Sequence, residues 1–479
     1  MEKRIFYNYS LILKNVLQYL PSRVLIILNS FFIVPLFTQT LNPKEISIYL
    51  ISINLLNLFC TCSFDWISKA VLRFYEKYKL KDDLNTFLST IFSVSIFIYL
   101  FAGLVFILLK PILVTKLAIN TLTLSLVILL AIPCGIRQCL YQILRIKNNF
   151  SLYTISIILY QILLVITFLS LVNLLPNASS IILSMIFSII LIDGFIISNL
   201  SEKYSLKLHC KKEIAVNIFK YSIPLVFTNI LYWLMIYLPS FCFQTKEQFI
   251  FTSIFGIGLA LTSYVIQPLA GLFSFINFPV VVRHYEKHGQ IYLYHTNTVQ
   301  MYLYILLPIV FGLIFYSNNI TSIFFPKEYS ALSLILPILS VKIFLHELLK
   351  LINVKYHLQN KTYIEMAVAI LIVGLFVIFN YKLLDNYTLI SAALLVLIAE
   401  ICLILINILL KIKNINYINY KKVSYTGIKL LAIIFLTYTI LHFIFISEPN
   451  YNLLKIAQIV LFLLTTYFLS YIFRKNILL

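Results

Sequence analysis

Charge is scarce in this chain. Asp, Glu, Lys and Arg make up 11% of its 479 residues, against about a quarter in soluble domains. So few charges cannot clothe a soluble surface. The 61% apolar share and mean hydropathy of +0.96 exceed what a soluble core needs, so lipid is the solvent for most of the exterior. Acidic residues are scarcest, 17 against 37 basic, for a net charge of +20. In a soluble protein that excess would suggest nucleic acid. Here the basic residues fall in short segments between apolar runs, and no RNA- or DNA-binding motif accompanies them. The positive-inside rule accounts for them, and nucleic acid is excluded as a partner.

Other absences narrow the function. No G-x-x-x-x-G-K-[ST] loop occurs, which excludes ATP hydrolysis in cis. No segment between apolar runs is long enough for a soluble catalytic domain, so no catalytic residues are assigned and the chain is not expected to be an enzyme. Cys60, Cys62, Cys134, Cys139, Cys210, Cys242 and Cys402 lack the second pair or the histidines of a zinc site, so no metal or cofactor is expected and the thiols are packing residues. No small-residue cleavage site closes the first twenty residues. Ile5, Phe6, Tyr9, Ile12, Leu13, Val16 and Leu17, punctuated by Lys3, Arg4 and Lys14, suit a cytoplasmic interfacial helix over 1–20.

What is present is a series of fourteen apolar runs, each near the roughly 20 residues a span needs. They lie near 21–41, 45–68, 86–109, 116–139, 151–173, 177–199, 217–242, 249–280, 292–317, 329–350, 363–384, 387–410, 424–446 and 450–473. The 249–280 run is too long for one upright span; Pro268 and Pro279 are expected to kink it, or its end to run along the interface. With both termini cytoplasmic, that side collects 28 of the 37 basic residues. The other side holds Lys44, Lys110, Lys116, Lys246, Lys327, Lys382 and Lys455, and Arg23 and Lys342 fall inside spans.

The chain repeats itself. Arg73-Phe74-Tyr75-Glu76-Lys77 recurs 210 residues later as Arg283-His284-Tyr285-Glu286-Lys287, each closing an apolar run. At the same offset Arg145 falls on Lys355 and Tyr153 on Tyr363, and both sites are expected to open a short basic loop. Two parallel lobes follow, with boundaries at 1–20 (interfacial helix), 21–216 (spans 1–6), 217–423 (spans 7–12) and 424–479 (spans 13–14 and a cytoplasmic tail).

Ionisable residues inside spans are costly unless paired or wet, which makes each a functional candidate. Arg23 can grip a pyrophosphate bidentately or snorkel to headgroups. Asp65, Lys69 and Arg73 share one helix face by their spacing of four. Arg73 and Arg283 would flank an inner gate, meeting phosphate or the opposing Glu76 and Glu286, or else simply anchor the chain. Arg137 and Glu347, also 210 apart, are expected to pair across the lobes or within local networks. Lys342, His346, Glu347 and Lys350 line one side of span 10, with His346 the histidine for proton coupling. Asp193 and Glu400, 207 apart, occupy near-equivalent places. Glu400 has no basic residue within ten positions, which makes it a candidate proton carrier.

Short-looped spans in 6+6+2 order, an R-x-Y motif after spans 2 and 8, Ser22-Arg23-Val24-Leu25 and Leu41-Asn42-Pro43-Lys44-Glu45 together resemble the Wzx-type O-antigen and polysaccharide flippases. These belong to the multidrug/oligosaccharidyl-lipid/polysaccharide exporter superfamily. Ser22-Arg23-Val24-Leu25 also resembles the first span of lipid II flippases, but Asn29 and Ser30 stand where those carry an arginine and an aspartate. The resemblance implies an all-α polytopic membrane protein of MATE-like fold, two bundles around a central cavity that opens to alternate sides. It implies an undecaprenyl-pyrophosphate-linked oligosaccharide as cargo, the O-antigen or capsule repeat unit. Given that cargo, the charges make Arg23, Lys69, Arg73, Arg283 and Lys342 the candidates for the pyrophosphate or the cavity. Asp65, Asp193, His346, Glu347 and Glu400 are the ion-coupling candidates. The bacterial inner membrane is the implied location. Membrane lipid, a polysaccharide polymerase and a chain-length regulator are the implied partners. A multidrug cation antiporter and a multispan glycosyltransferase or polymerase are the alternatives.

Overall fold

The computed structural model describes residues 21, 23–64, 74, 78, 83–146, 149–199, 210–288, 292–359, 361–410, 418–444 and 452–478. The interfacial helix expected over 1–20 lies outside them. Among the described residues every regular element is helical: α1 (Arg23–Thr40), α2 (Pro43–Ser63), α3 (Leu84–Leu117), α4 (Thr121–Ile146), α5 (Phe150–Val172), α6 (Ala178–Asn199), α7 (Lys212–Thr245), α8 (Phe249–His288), α9 (Tyr292–Phe315), α10 (Ser317–Phe324), α11 (Leu332–Leu358), α12 (Thr362–Leu383), α13 (Leu389–Leu409), α14 (Tyr420–Ile444) and α15 (Asn452–Leu478). Thirteen are long and apolar enough to cross a membrane, and α15 adds a shorter apolar run over Leu454–Ser470. The chain is an all-α multi-pass membrane protein.

Helix ends follow local chemistry. Asn42 caps α2 by accepting from Glu45 N at 2.9 Å, with Pro43 at the first turn where its missing N–H costs nothing. Glu45 then turns outward, and its Oε2 accepts from Ala178 N at 2.8 Å, placing a carboxylate at the positive end of α6. Two boundaries differ from the sequence expectation. α8 runs unbroken for 40 residues past Pro268 and Pro279 to His288; a proline removes one hydrogen bond, which neighbouring helices can tolerate in a membrane. α11 extends to Leu358, so Lys350 and Lys355 are helical rather than in a basic loop.

The outer surface is apolar, as lipid requires. α3 exposes Phe97, Leu100, Phe101, Leu104 and Leu108. Polar residues turn inward instead. On α6, Ser180, Ser184 and Ser188 form a buried row of small residues; Ser184 Oγ donates to Ser180 O at 2.7 Å, and Ser188 Oγ lies 3.2 Å from Thr167 Oγ1 on α5.

The described residues form two compact units. One comprises those of Met1–Leu25, Leu36–Gly256 and Thr362–Val377; the other comprises Ile26–Pro35, Ile257–Lys361 and Ile378–Leu479. In the first, α6 packs on α4 and α5, and α2 packs on α4. Gly135 sets that last approach, since a Cβ there would meet the Phe64 ring at 2.6 Å. In the second, α11 packs on α9 and α13. α13 buries Ala392, Ala393, Val396, Glu400 and Asn407 on one face and exposes Leu394, Ile398, Ile401 and Leu405 on the other.

Candidate functional site

In the first unit the apolar runs carry arginines where tyrosines can receive them. α4 presents Arg137 and Tyr141 one turn apart; α5 presents Tyr153 and Tyr160 two turns apart. The Arg137 guanidinium sits over the Tyr160 ring at 4.2 Å. Tyr141 and Tyr153 pack ring to ring at 5.0 Å. From α1, Arg23 Nη2 donates to the Tyr153 hydroxyl at 3.1 Å, its guanidinium carbon 5.8 Å from the ring centre. Two guanidinium groups are thus mounted on one aromatic ladder. Neither makes an ion pair with a carboxylate among the described residues. A guanidinium carries five N–H donors, more than these ring and hydroxyl contacts use, so donors remain for a ligand. Both side chains are part-exposed. This arrangement can take an anion with several acceptor oxygens.

Asp193 on α6 faces the same ladder. It is 5% exposed, lies within electrostatic reach of Arg137, Cys134 and Tyr141, and neither carboxylate oxygen has a hydrogen-bond partner among the described residues.

The second unit holds a different constellation, built on α11 and α13. Lys342 and His346, one turn apart on α11, both meet Glu400 of α13. Lys342 Nζ lies 3.7 Å from Glu400 Oε2, and His346 Nδ1 lies 3.2 Å from Glu400 Oε1. Lys342 and Glu400 have no exposed surface. The contact lies where α13 packs on α11. Two further groups complete the helix. Glu347 Oε1 accepts from half-exposed Lys350 at 2.6 Å. Lys355 Nζ donates to the carbonyls of Asn407 and Leu410, the latter at 3.1 Å, neutralising the C-terminal end of α13.

The sequence expectations therefore meet different geometry. Glu400, without a basic neighbour in sequence, has two in space. Arg137 and Glu347 each have a local partner, the Tyr160 ring and Lys350, in keeping with the local-network alternative. His346 contacts Glu400 rather than the adjacent Glu347. Asp65, Lys69 and Arg73 lie outside the described residues, as do Tyr75, Glu76 and Lys77. Arg283 is in α8, but its side chain is also outside the description. The ring partners Tyr141, Tyr153 and Tyr160 were missed. Their signal was present in the helical spacing of Tyr141 from Arg137 and of Tyr160 from Tyr153, and Tyr160 stands well inside its span. Among the described residues no group of three or more His, Cys, Asp or Glu is placed to hold a metal.

Comparison with known proteins places this architecture. A family described as polysaccharide biosynthesis protein matches residues 41–334, more than half of the chain. The capsular polysaccharide biosynthesis protein CapF of Staphylococcus aureus is 25% identical over 332 residues, 66% of this chain and 79% of that protein. Among solved structures, the lipid II flippase MurJ in an inward closed conformation matches at a TM-score of 0.69 and 17% identity, over 98% of this chain and all of that one. An inward-facing multidrug resistance MATE transporter of the MOP superfamily matches at 0.53 and 15% identity, over 82% and 94%. These structures show a common MATE-like fold.

Proposed function

Since the chain belongs to the polysaccharide biosynthesis protein family, we propose that it is a flippase for a lipid-linked oligosaccharide. Its cargo is an undecaprenyl-pyrophosphate-linked repeat unit of a capsule or O-antigen, moved across the bacterial inner membrane by alternating access. The observation that carries this reading is the pair of arginines on one aromatic ladder, Arg23 and Arg137. A pyrophosphate offers several acceptor oxygens, and a guanidinium fork matches them two at a time while never losing its charge. The names of the relatives support it: CapF for capsule biosynthesis, MurJ for flipping a lipid-linked precursor. Asn29 and Ser30 still argue against a peptidoglycan precursor. A cation antiporter is disfavoured, because its substrate would have to enter beside two guanidinium groups that make no ion pair with a carboxylate among the described residues.

In this reading the protein is a transporter and not an enzyme. Both termini are cytoplasmic, and the repeat relates a lobe of 21–216 to one of 217–423. Lys69, Arg73 and Arg283 are further basic residues for the cargo phosphates or the gate, whereas Lys342, with no exposed surface and facing Glu400, is withdrawn from the cargo set. The His346–Glu400 contact is the place where proton exchange resets the empty carrier. A polysaccharide polymerase and a chain-length regulator act on the delivered product.

The test is genetic and chemical. Deleting the gene should abolish surface polysaccharide and accumulate the lipid-linked repeat unit. Wild type should restore export, while Arg23→Ala and Arg137→Ala at equal expression should not. Normal surface polysaccharide in the deletion strain would refute the proposal.

A further inference from the structure

On α4 and α6, which pack together, the first unit carries buried hydrogen-bond acceptors in excess. Asp193 Oδ1 and Oδ2, Gln138 Oε1 and Gln142 Oε1 are all buried without a donor among the described residues. Gln138 and Gln142 are one turn apart on α4, on the face that also presents Cys134, Arg137 and Tyr141. Asp193 is within electrostatic reach of the last three from α6. Arg137 lies over Tyr160 and does not hydrogen-bond the carboxylate. Buried acceptors left unmet are costly, and proteins rarely keep several together without a use for them.

The complement of such a set is a ligand rich in donors. An ammonium ion would supply them, but Arg137 repels a cation at this place. A polyhydroxylated ring avoids that penalty. Its hydroxyls donate to the carboxylate and the glutamine oxygens, accept from the guanidinium, and its flat C–H face can lie on a tyrosine ring such as Tyr141. We infer that Asp193, Gln138 and Gln142 form a sugar-binding subsite, which takes the carbohydrate next to the pyrophosphate held by Arg23 and Arg137. Asp193 thereby belongs with the cargo rather than with the coupling ion. The inference rests on the flippase reading and adds to it the residues that read the sugar.

The experiment compares two lipids on the full-length protein in nanodiscs. One probe is undecaprenyl pyrophosphate. The other is the lipid-linked oligosaccharide extracted from producing cells that lack this gene. Wild type should bind the glycosylated lipid more tightly. Asp193→Asn should weaken that lipid by roughly tenfold or more, because a buried charged acceptor is lost, and should not weaken undecaprenyl pyrophosphate, since no positive charge is removed. Gln138→Leu should show the same pattern with the carboxylate intact, which covers the case that Asp193→Asn does not fold. Arg137→Ala should weaken both lipids. Equal loss of both lipids in Asp193→Asn and Gln138→Leu, or loss of neither, would overturn the subsite. Equal wild-type affinity for the two lipids would overturn it too, while leaving the flippase reading standing. Failure of wild type to bind either lipid would bring down both.

Discussion

Lys342 and Glu400 hold a charge pair with no exposed surface, 3.7 Å apart, and His346 takes the second carboxylate oxygen. Such a pair contributes little net stability, because desolvation offsets the attraction. Removing one member is another matter, at about 3–5 kcal/mol, since the other charge is then stranded. Glu400→Gln therefore does not simply imitate a protonated carboxyl. It should lower the thermal midpoint of the purified protein sharply, whereas Lys342→Met with Glu400→Met should recover most of the loss. A Glu400→Gln protein as stable as wild type would show that the two charges do not depend on each other. The arginines differ, because rings rather than carboxylates hold them. Arg137→Lys should keep part of the export and Arg137→Ala none, the lysine retaining charge without the bidentate fork. Equal polysaccharide export by wild type and Arg137→Ala would remove Arg137 from the site.

At the scale of elements, one lysine and one glycine have unusual leverage. Lys355 reaches the carbonyls at the end of α13, so it fixes α13 against α11 and with it the Glu400 contact. Lys355→Met should destabilise by about 1 kcal/mol or more, from a lost helix-end cation and unmet carbonyls. A melting curve unchanged from wild type would contradict that role. Gly135→Leu should do more damage, as its Cβ would already stand 2.6 Å from the Phe64 ring. These elements were legible in sequence to differing degrees. The span positions were, because lipid demands long apolar runs and nothing else in the chain competes with them. Asn42-Pro43-Lys44-Glu45 was legible as a helix start, but not Glu45 as the cap of α6, 133 residues away. The charges were visible as anomalies, while their partners were not. Glu400 finds its partners on α11, 54 and 58 positions earlier, and Lys355 looked like a loop residue because only packing on α13 shows why it is buried. Asp65, Lys69 and Arg73 keep the roles proposed for them without a described geometry.

For the whole molecule, the proposal assigns the orientation to the basic residues and the cargo to the aromatic ladder. Labelling of single cysteines in a cysteine-free protein should find positions 327 and 382 open to an external reagent and positions 77 and 287 closed to it. External labelling at 77 or 287 would invert the topology. The central claim, that this fold moves a lipid-linked oligosaccharide held at Arg23 and Arg137, meets its most direct test in proteoliposomes. The lipid-linked oligosaccharide from gene-deleted cells is loaded in the membrane, and its transfer between leaflets is followed by enzymatic capture of the exposed sugar. The account predicts transfer by wild type, without ATP, and loss of transfer in the Arg23→Ala, Arg137→Ala double variant while that protein stays folded. Transfer by the double variant at the wild-type rate would contradict it.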